Sequence, residues 1–245
     1  MATLLRSLRN HLPTSVAADR HFLQHQLPRA ALYHSHHHGP PPPPFSPAAS
    51  AILSSSLTHV PEHGFSDMAL TLGARGTGYL DITTNLFPRG PFEIVYYHLV
   101  MSRLNLHQRV QFPSAEANGG RELGVGQKLR TLVVERLRAN EKVLGRWQEA
   151  LGLMSLAGNI PTSISELAKL SDEILYLAGD TSVDTTWYTK RASLSAIYAS
   201  TELFMTQDTS PDFISTWKFL DRRLEDIQIL GKATSEVGDY LGFTA

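Results

Sequence analysis

Ser163-Ile164-Ser165-Glu166-Leu167-Ala168-Lys169-Leu170-Ser171-Asp172-Glu173-Ile174-Leu175-Tyr176-Leu177 decides the class of this fold. Leu167, Leu170, Ile174 and Leu177 recur at the 3.6-residue period of a helix, where a half-buried strand would alternate every second residue. Ser163 and Glu166 stand three apart, the spacing of a capping box in which hydroxyl and carboxylate each satisfy an orphan amide. The same period recurs on both sides. Phe92, Val95, Tyr96, Leu99 and Leu104 form an earlier stripe. Trp187, Leu194, Tyr198 and Met205 form a later one, followed by Leu220, Leu224, Ile227 and Leu230. Asp184 is placed to cap the helix of Trp187. Ser210-Pro211-Asp212 supplies a cap, a first-turn proline and an acid matched to the helix dipole. The class is all-α, with about nine or ten helices joined by short loops. No repeat of fixed period suggests a solenoid.

Earlier in the chain, Gly73-Ala74-Arg75-Gly76-Thr77-Gly78-Tyr79 carries three glycines. A phosphate-binding loop would need a preceding strand, and none is readable. The better reading ends a helix at Gly73 and turns into Tyr79-Leu80-Asp81-Ile82. The chain then passes through Leu86-Phe87-Pro88-Arg89-Gly90-Pro91 into the long helix of Glu93. This layout resembles the helix-turn-helix of TetR-type repressors. Its charges argue against DNA: residues 64–99 carry Arg75 and Arg89 against Asp67, Asp81 and Glu93. A recognition helix must bring donors to phosphates and base edges, and this one offers Asp81 and no base.

The 245 residues carry a net charge of -1, which speaks against a surface built to neutralise phosphates. Apolar residues make up 42%, enough for a sizeable core. The absence of cysteine excludes disulfides, thiolate metal sites and cysteine nucleophiles. No apolar run reaches the roughly 20 residues of a membrane span. Residues 1–39 differ from the rest, with Arg6, Arg9, Arg20 and Arg29 against the single acid Asp19. With Leu4, Leu5, Leu8 and Leu12 at helical spacing they read as a mitochondrial presequence, a disordered tail being the alternative. His34, His36, His37 and His38 lie in that segment without a framework to fix a metal. Pro40 to Pro44 begin a stiff linker over 40–47. The folded body is expected over 48–219, with a C-terminal amphipathic helix over 220–245. No serine has a nucleophile-elbow pattern, no Glu-x-x-His pair marks a di-iron site, and His98 reads as a packed or surface histidine.

The run from Ala178-Gly179-Asp180 to Trp187-Tyr188-Thr189-Lys190-Arg191, Thr201-Glu202-Leu203 and the Trp217-to-Arg222 segment together resemble the ninth ubiquinone-biosynthesis (Coq) protein family. Tyr33-His34-Ser35 and Leu86-Phe87-Pro88-Arg89-Gly90 fit as well, and the likeness covers nearly the whole body. The resemblance implies a TetR-like fold with a vestigial helix-turn-helix and no DNA binding. It implies a peripheral protein at the matrix face of the mitochondrial inner membrane that is not an enzyme. Such a protein binds lipid, an isoprenoid quinone intermediate or a phospholipid, and hands it to the di-iron hydroxylase of the pathway. A homodimer is expected. The different-class alternative is a TetR-like transcriptional regulator, and a third is a helical enzyme.

On that resemblance, an apolar pocket is expected between the later helices. Its candidate lining is Trp147, Leu151, Ile174, Leu194, Tyr198 and Met205, with Arg191 as the polar end; core packing is the alternative for each. Asp184, Trp187 and Tyr188 are expected to form the docking patch for the hydroxylase. Two adjacent aromatics point about 100° apart on a helix, so both cannot enter one core layer. Leu224, Ile227, Leu230, Val237 and Leu241, with Phe243, form the candidate membrane contact. Lys232 is the one base there against Glu225, Asp226, Glu236 and Asp239.

Overall fold

The structure is a computed structural model that describes residues 43–113, 123–180 and 186–226. The presequence expected over 1–39 lies outside the described residues, as do Asp184, Ile227, Leu230, Val237, Leu241 and Phe243. The compact unit begins at Phe45. Among the described residues it holds nine α-helices, three 3-10 turns and no strand.

Helix α1 (Pro47–His63) starts where Ser46 accepts the Ala49 amide at 3.3 Å, with Pro47 at the position that needs no N–H donor. Gly64, at φ 69°, turns the chain, and Ser66 caps α2 (Asp67–Gly76) in the same way. Gly73 does not end α2 as the sequence reading expected, because the helix continues three residues further. The glycine is there for contact. A Cβ on Gly73 would lie 2.1 Å from the Ser56 hydroxyl and 2.8 Å from the Ile52 carbonyl of α1. The two helices therefore approach at backbone distance. A 3-10 turn over Asp81–Leu86 follows in place of a recognition helix.

Helix α3 (Phe92–Leu104) is buried on nearly every side, with Phe92, Ile94, Val95, Tyr97, His98 and Val100 inside. Only its end departs from the expected stripe: Leu104 is exposed. Then come α4 (Leu106–Arg109), α5 (Val125–Arg138), a 3-10 turn (Glu141–Arg146) and α6 (Trp147–Met154). Helices α7 (Ile160–Ala178) and α8 (Thr186–Met205) complete the long elements, and Gly179 at φ 85° closes α7. Helix α9 covers 214–226, so the boundary drawn at 219/220 falls inside a continuous helix.

Two starts differ from the sequence reading. Helix α7 begins at Ile160, a turn before the proposed box. Ser163 donates to the Asn159 carbonyl and Glu166 pairs with Arg103 at 2.6 Å, so no capping box forms. At the other start, Asp212 and Phe213 take left-handed φ angles of 50° and 56°, outside any helical first turn. The acid that serves the α9 start is Asp208. Partial burial would raise its pKa, but hydrogen bonds from Ser210 and Thr216 hold it at about 2. Ser210 keeps its capping role by accepting the Ser215 amide at 3.0 Å.

Apolar side chains gather in two cores. One joins α1, α2, α3 and α6 around Phe92 and Trp147, the other α4, α5, α7, α8 and α9 around Leu132, Ile174 and Tyr198. Leu144 packs against both.

Candidate functional site

Between the two cores, α3, α5, α6, α7 and α8 leave a cavity of about 180 Å³. Leu99, Leu151, Met154, Leu167 and Leu170 make its walls apolar. Arg136, Tyr198, Glu166 and Glu202 also line it, and all four are buried. Such concave, mostly apolar sites with a few convergent polar groups are where small ligands bind.

The polar groups form one connected network. Arg136 Nη1 donates to Asn140 Oδ1 at 2.9 Å, and Asn140 Nδ2 donates to Glu202 Oε1 at 2.8 Å. The Tyr198 hydroxyl donates to the same carboxylate oxygen at 3.0 Å. His98 Nε2 lies 2.8 Å from Asn140 Oδ1. Because the amide nitrogen is committed to Glu202, that oxygen can only accept, so His98 carries its proton on Nε2. Burial and then the field of Arg136 push the His98 pKa down to about 4, and the ring stays neutral at neutral pH. Burial raises the Tyr198 hydroxyl well above its ordinary value and keeps it a donor. Burial also raises Glu202, opposed first by the charge of Arg136. Two atoms of the lining have no hydrogen-bond partner, Arg136 Nε and Glu166 Oε2, and the second is ion-paired with Lys169 Nζ at 3.7 Å.

A second cavity of about 610 Å³ lies on the α1 and α4 side, with His98, Arg109 and Lys142 in its wall. A groove of about 250 Å³ runs beside Leu175, Leu194 and Leu224, bordered by the Asp180–Lys190 ion pair.

The structure brings together only part of the predicted lining. Leu151 and Tyr198 line the cavity. Trp147, Ile174 and Met205 are buried core residues, and Leu194 lines the outer groove. Arg191 is ion-paired with Asp172 and does not line the cavity. Tyr188 is 74% exposed on α8. Leu224 packs partly against the second core. Sequence reasoning missed Arg136, Asn140, Glu166 and Glu202. The available signal was spacing: Arg136 with Asn140 and Tyr198 with Glu202 are each four apart, polar pairs set among apolar stripes.

At the other end, the vestigial helix-turn-helix carries little that could meet DNA. Arg75 forms a two-bond ion pair with Asp81, and Arg89 one with Glu93. Leu80, Ile82 and Leu86 stand more than 60% exposed where a recognition helix presents its polar face.

These features agree with what the chain is similar to. The COQ9 family model matches residues 160–231, which hold α7, α8 and α9. Ubiquinone biosynthesis protein coq9, mitochondrial, of Schizosaccharomyces pombe is 35% identical over 193 residues, 78% of this chain and 74% of that one. Ubiquinone biosynthesis protein COQ9, mitochondrial, of Homo sapiens is 35% identical over 193 residues, covering 76% of this chain and 59% of that one. The Xenopus laevis protein COQ9-B is 36% identical, covering 76% and 64%. The chain thus spans about three fifths of the frog and human relatives. Among solved structures, a TetR transcriptional regulator from Nitrosomonas europaea superposes with a TM-score of 0.55 at 15% identity, covering 74% of this chain and 97% of that one. That likeness shows the TetR-like, all-α fold alone. The fission yeast relative, matched over three quarters of its length, shows the family: the chain belongs to the COQ9 family.

Proposed function

We propose that this chain acts in ubiquinone biosynthesis as a lipid-binding accessory protein. It holds an isoprenoid quinone intermediate or a phospholipid in the cavity between α3, α5, α6, α7 and α8. It presents that lipid to the di-iron hydroxylase of the pathway at the matrix face of the mitochondrial inner membrane. The observation that carries the reading is the apolar cavity itself, walled in part by α7 and α8, the helices that the COQ9 family model covers. An isoprenoid chain gains about 0.8 kcal/mol for each methylene-sized unit buried, so apolar walls suffice to hold a tail. The names of the relatives supply the pathway and the mitochondrion.

The polar groups favour holding over catalysis. His98, Asn140, Arg136, Tyr198 and Glu202 are committed to one another in a buried network. A regulator is disfavoured because the recognition position is a 3-10 turn whose acid pairs with the nearest base. On this reading the hydroxylase docks at Asp184, Trp187 and Tyr188, the assembly is a homodimer, and the chain beyond Leu224 meets the membrane. Mass spectrometry of lipid extracted from the purified full chain tests the reading. A near-stoichiometric isoprenoid or phospholipid is expected; a protein that purifies free of lipid, and takes none up from vesicles, contradicts it.

A further inference from the structure

We propose that the second cavity, between α1, α3, α4 and the 3-10 turn at Glu141–Arg146, is an anion site that takes the terminal phosphate of a small phosphomonoester on Arg109 and Lys142. The site is separate from the cavity between α3, α5, α6, α7 and α8, and the inference does not rest on the lipid-binding reading.

Charge supplies the first argument. Arg109 of α4 and Lys142 of the turn stand in the wall of one cavity, and neither aspartate nor glutamate lines it. Most other cations among the described residues are neutralised: Arg75, Arg89, Arg103, Arg130 and Arg146 each hold a carboxylate. Among the described residues Arg109 and Lys142 are in no ion pair. Two positive charges in one concavity with no fixed negative charge concentrate a diffusible anion there. The field reaches the interior. Burial and the charge of Arg136 do most to lower the His98 pKa, and Arg109 lowers it further, so its guanidinium is felt at the inner wall that His98 forms.

The number of charges selects the anion. A phosphate monoester carries roughly -1.5 to -2 at neutral pH and matches two cations, whereas a carboxylate would leave one unmatched. A guanidinium can take two phosphate oxygens side by side, and an ammonium serves as a point charge for a third. The lipid cavity is the poorer place for such a group, because there Asn140 links Arg136 to the Glu202 carboxylate and Arg103 pairs with Glu166.

Size and the rest of the wall select what carries the phosphate. About 610 Å³ lies within the range of small-molecule sites and leaves room beyond a bare ion. Leu57, Pro61, Met101 and Val143 offer an apolar surface to the body of the ligand. Ser54 and Ser102 add hydroxyls that can donate to phosphate oxygens. Both cations are exposed, so added salt weakens binding.

Calorimetry on the full chain at low salt tests this with phenyl phosphate, benzoate and inorganic phosphate. Phenyl phosphate should bind about fivefold more tightly than either of the others, which lack one charge or the apolar body. Arg109→Gln and Lys142→Gln, with folding checked by circular dichroism, should each lower that affinity about threefold and together about tenfold. Lys218→Gln, at an exposed lysine outside the cavity, should leave it unchanged. The lipid that co-purifies with the double variant should equal that of the native chain, which keeps this result apart from the lipid-binding reading. Flotation with phosphatidylcholine vesicles, with and without phosphatidic acid, separates a lipid headgroup from a soluble phosphate. Phosphatidic acid-dependent flotation that the double variant loses supports the site and makes its source a headgroup. Equal affinity for benzoate overturns the phosphate assignment, and unchanged affinity in the folded double variant, or an equal loss in Lys218→Gln, overturns the site. Binding of no soluble probe, with flotation indifferent to phosphatidic acid, overturns both. If the double variant does not fold, the two single variants decide.

Discussion

Around α2 and the turn after it, Arg75 meets Asp81 in open solvent while Leu80, Ile82 and Leu86 face water. Around the cavity, Arg136, Glu166 and Glu202 are buried and Leu99, Leu151 and Leu167 wall an interior space. The two ends of one TetR-like bundle differ in where their charges lie. In a DNA-binding member of the fold the first end must present free donors. Here its cations are paired with carboxylates, and the ionic chemistry has its connected network at the other end. A fold is shared more widely than the chemistry placed on it, so function is argued from where unpaired and buried groups lie.

The largest effect should come from the boundary between these ends. Trp147 is fully buried against Phe65 and His98. Trp147→Ala should cost about 3–5 kcal/mol, read by denaturant unfolding. A loss under about 1 kcal/mol would return Trp147 to a replaceable lining role. Gly73→Val breaks the helix-turn-helix end alone. Its side chain would collide with the Ser56 hydroxyl and with α1 backbone, for a loss of about 1–3 kcal/mol. If α1 and α2 simply move apart, the melting temperature will not change.

Acid should act through the cavity end. His98 has its pKa at about 4 in the folded chain, against 6.5 when unfolded. The unfolded chain therefore binds the extra proton across that interval. The stability His98 contributes is complete above pH 6.5 and is lost as pH falls towards 4, by about 3 kcal/mol. Glu202 works in the opposite sense: its raised pKa disfavours the folded state as pH climbs past 4.5. Unfolding free energies at pH 7 and pH 4.5 in the native chain and in His98→Gln check the sign. A pH slope unchanged by the substitution would remove His98 as its source. Smaller still is Tyr188→Ala, which should leave stability alone because the ring is exposed. It should weaken capture of the hydroxylase roughly thirtyfold, the effect of losing an anchor of about 2 kcal/mol. Undiminished recovery in a pull-down would take Tyr188 out of the docking patch.

Much of the fold was legible because a helix reports itself through near neighbours. Leu170 and Ile174 are buried as their spacing required, and Ser210 does cap. Two of the readings that failed were decided by distant partners. Glu166 is three residues from Ser163, but Arg103, 63 residues away, outcompetes the capping amide. Gly73 looks like a helix end, yet its conformation is helical and its reason is the Ser56 side of α1. The candidate site was less legible still. A hydrophobic stripe states that Ile174 and Met205 face inward, and nothing local separates a wall with space behind it from a filled core. Arg136 was invisible for a simpler reason: an arginine is expected at the surface, and only the packed helices show it buried.

One paired measurement tests whether ligand chemistry resides at the cavity end. Leu167→Trp fills the cavity, and Leu80→Asp with Leu86→Asp alters the exposed turn of the helix-turn-helix. Both folded variants and the native chain are purified alike, and their bound lipid is quantified by mass spectrometry. Lipid retained in the native chain and the turn variant, and reduced at least tenfold in Leu167→Trp, is the predicted result. Full retention in Leu167→Trp together with loss in the turn variant would contradict it and place the lipid at the end where other TetR-like proteins hold DNA.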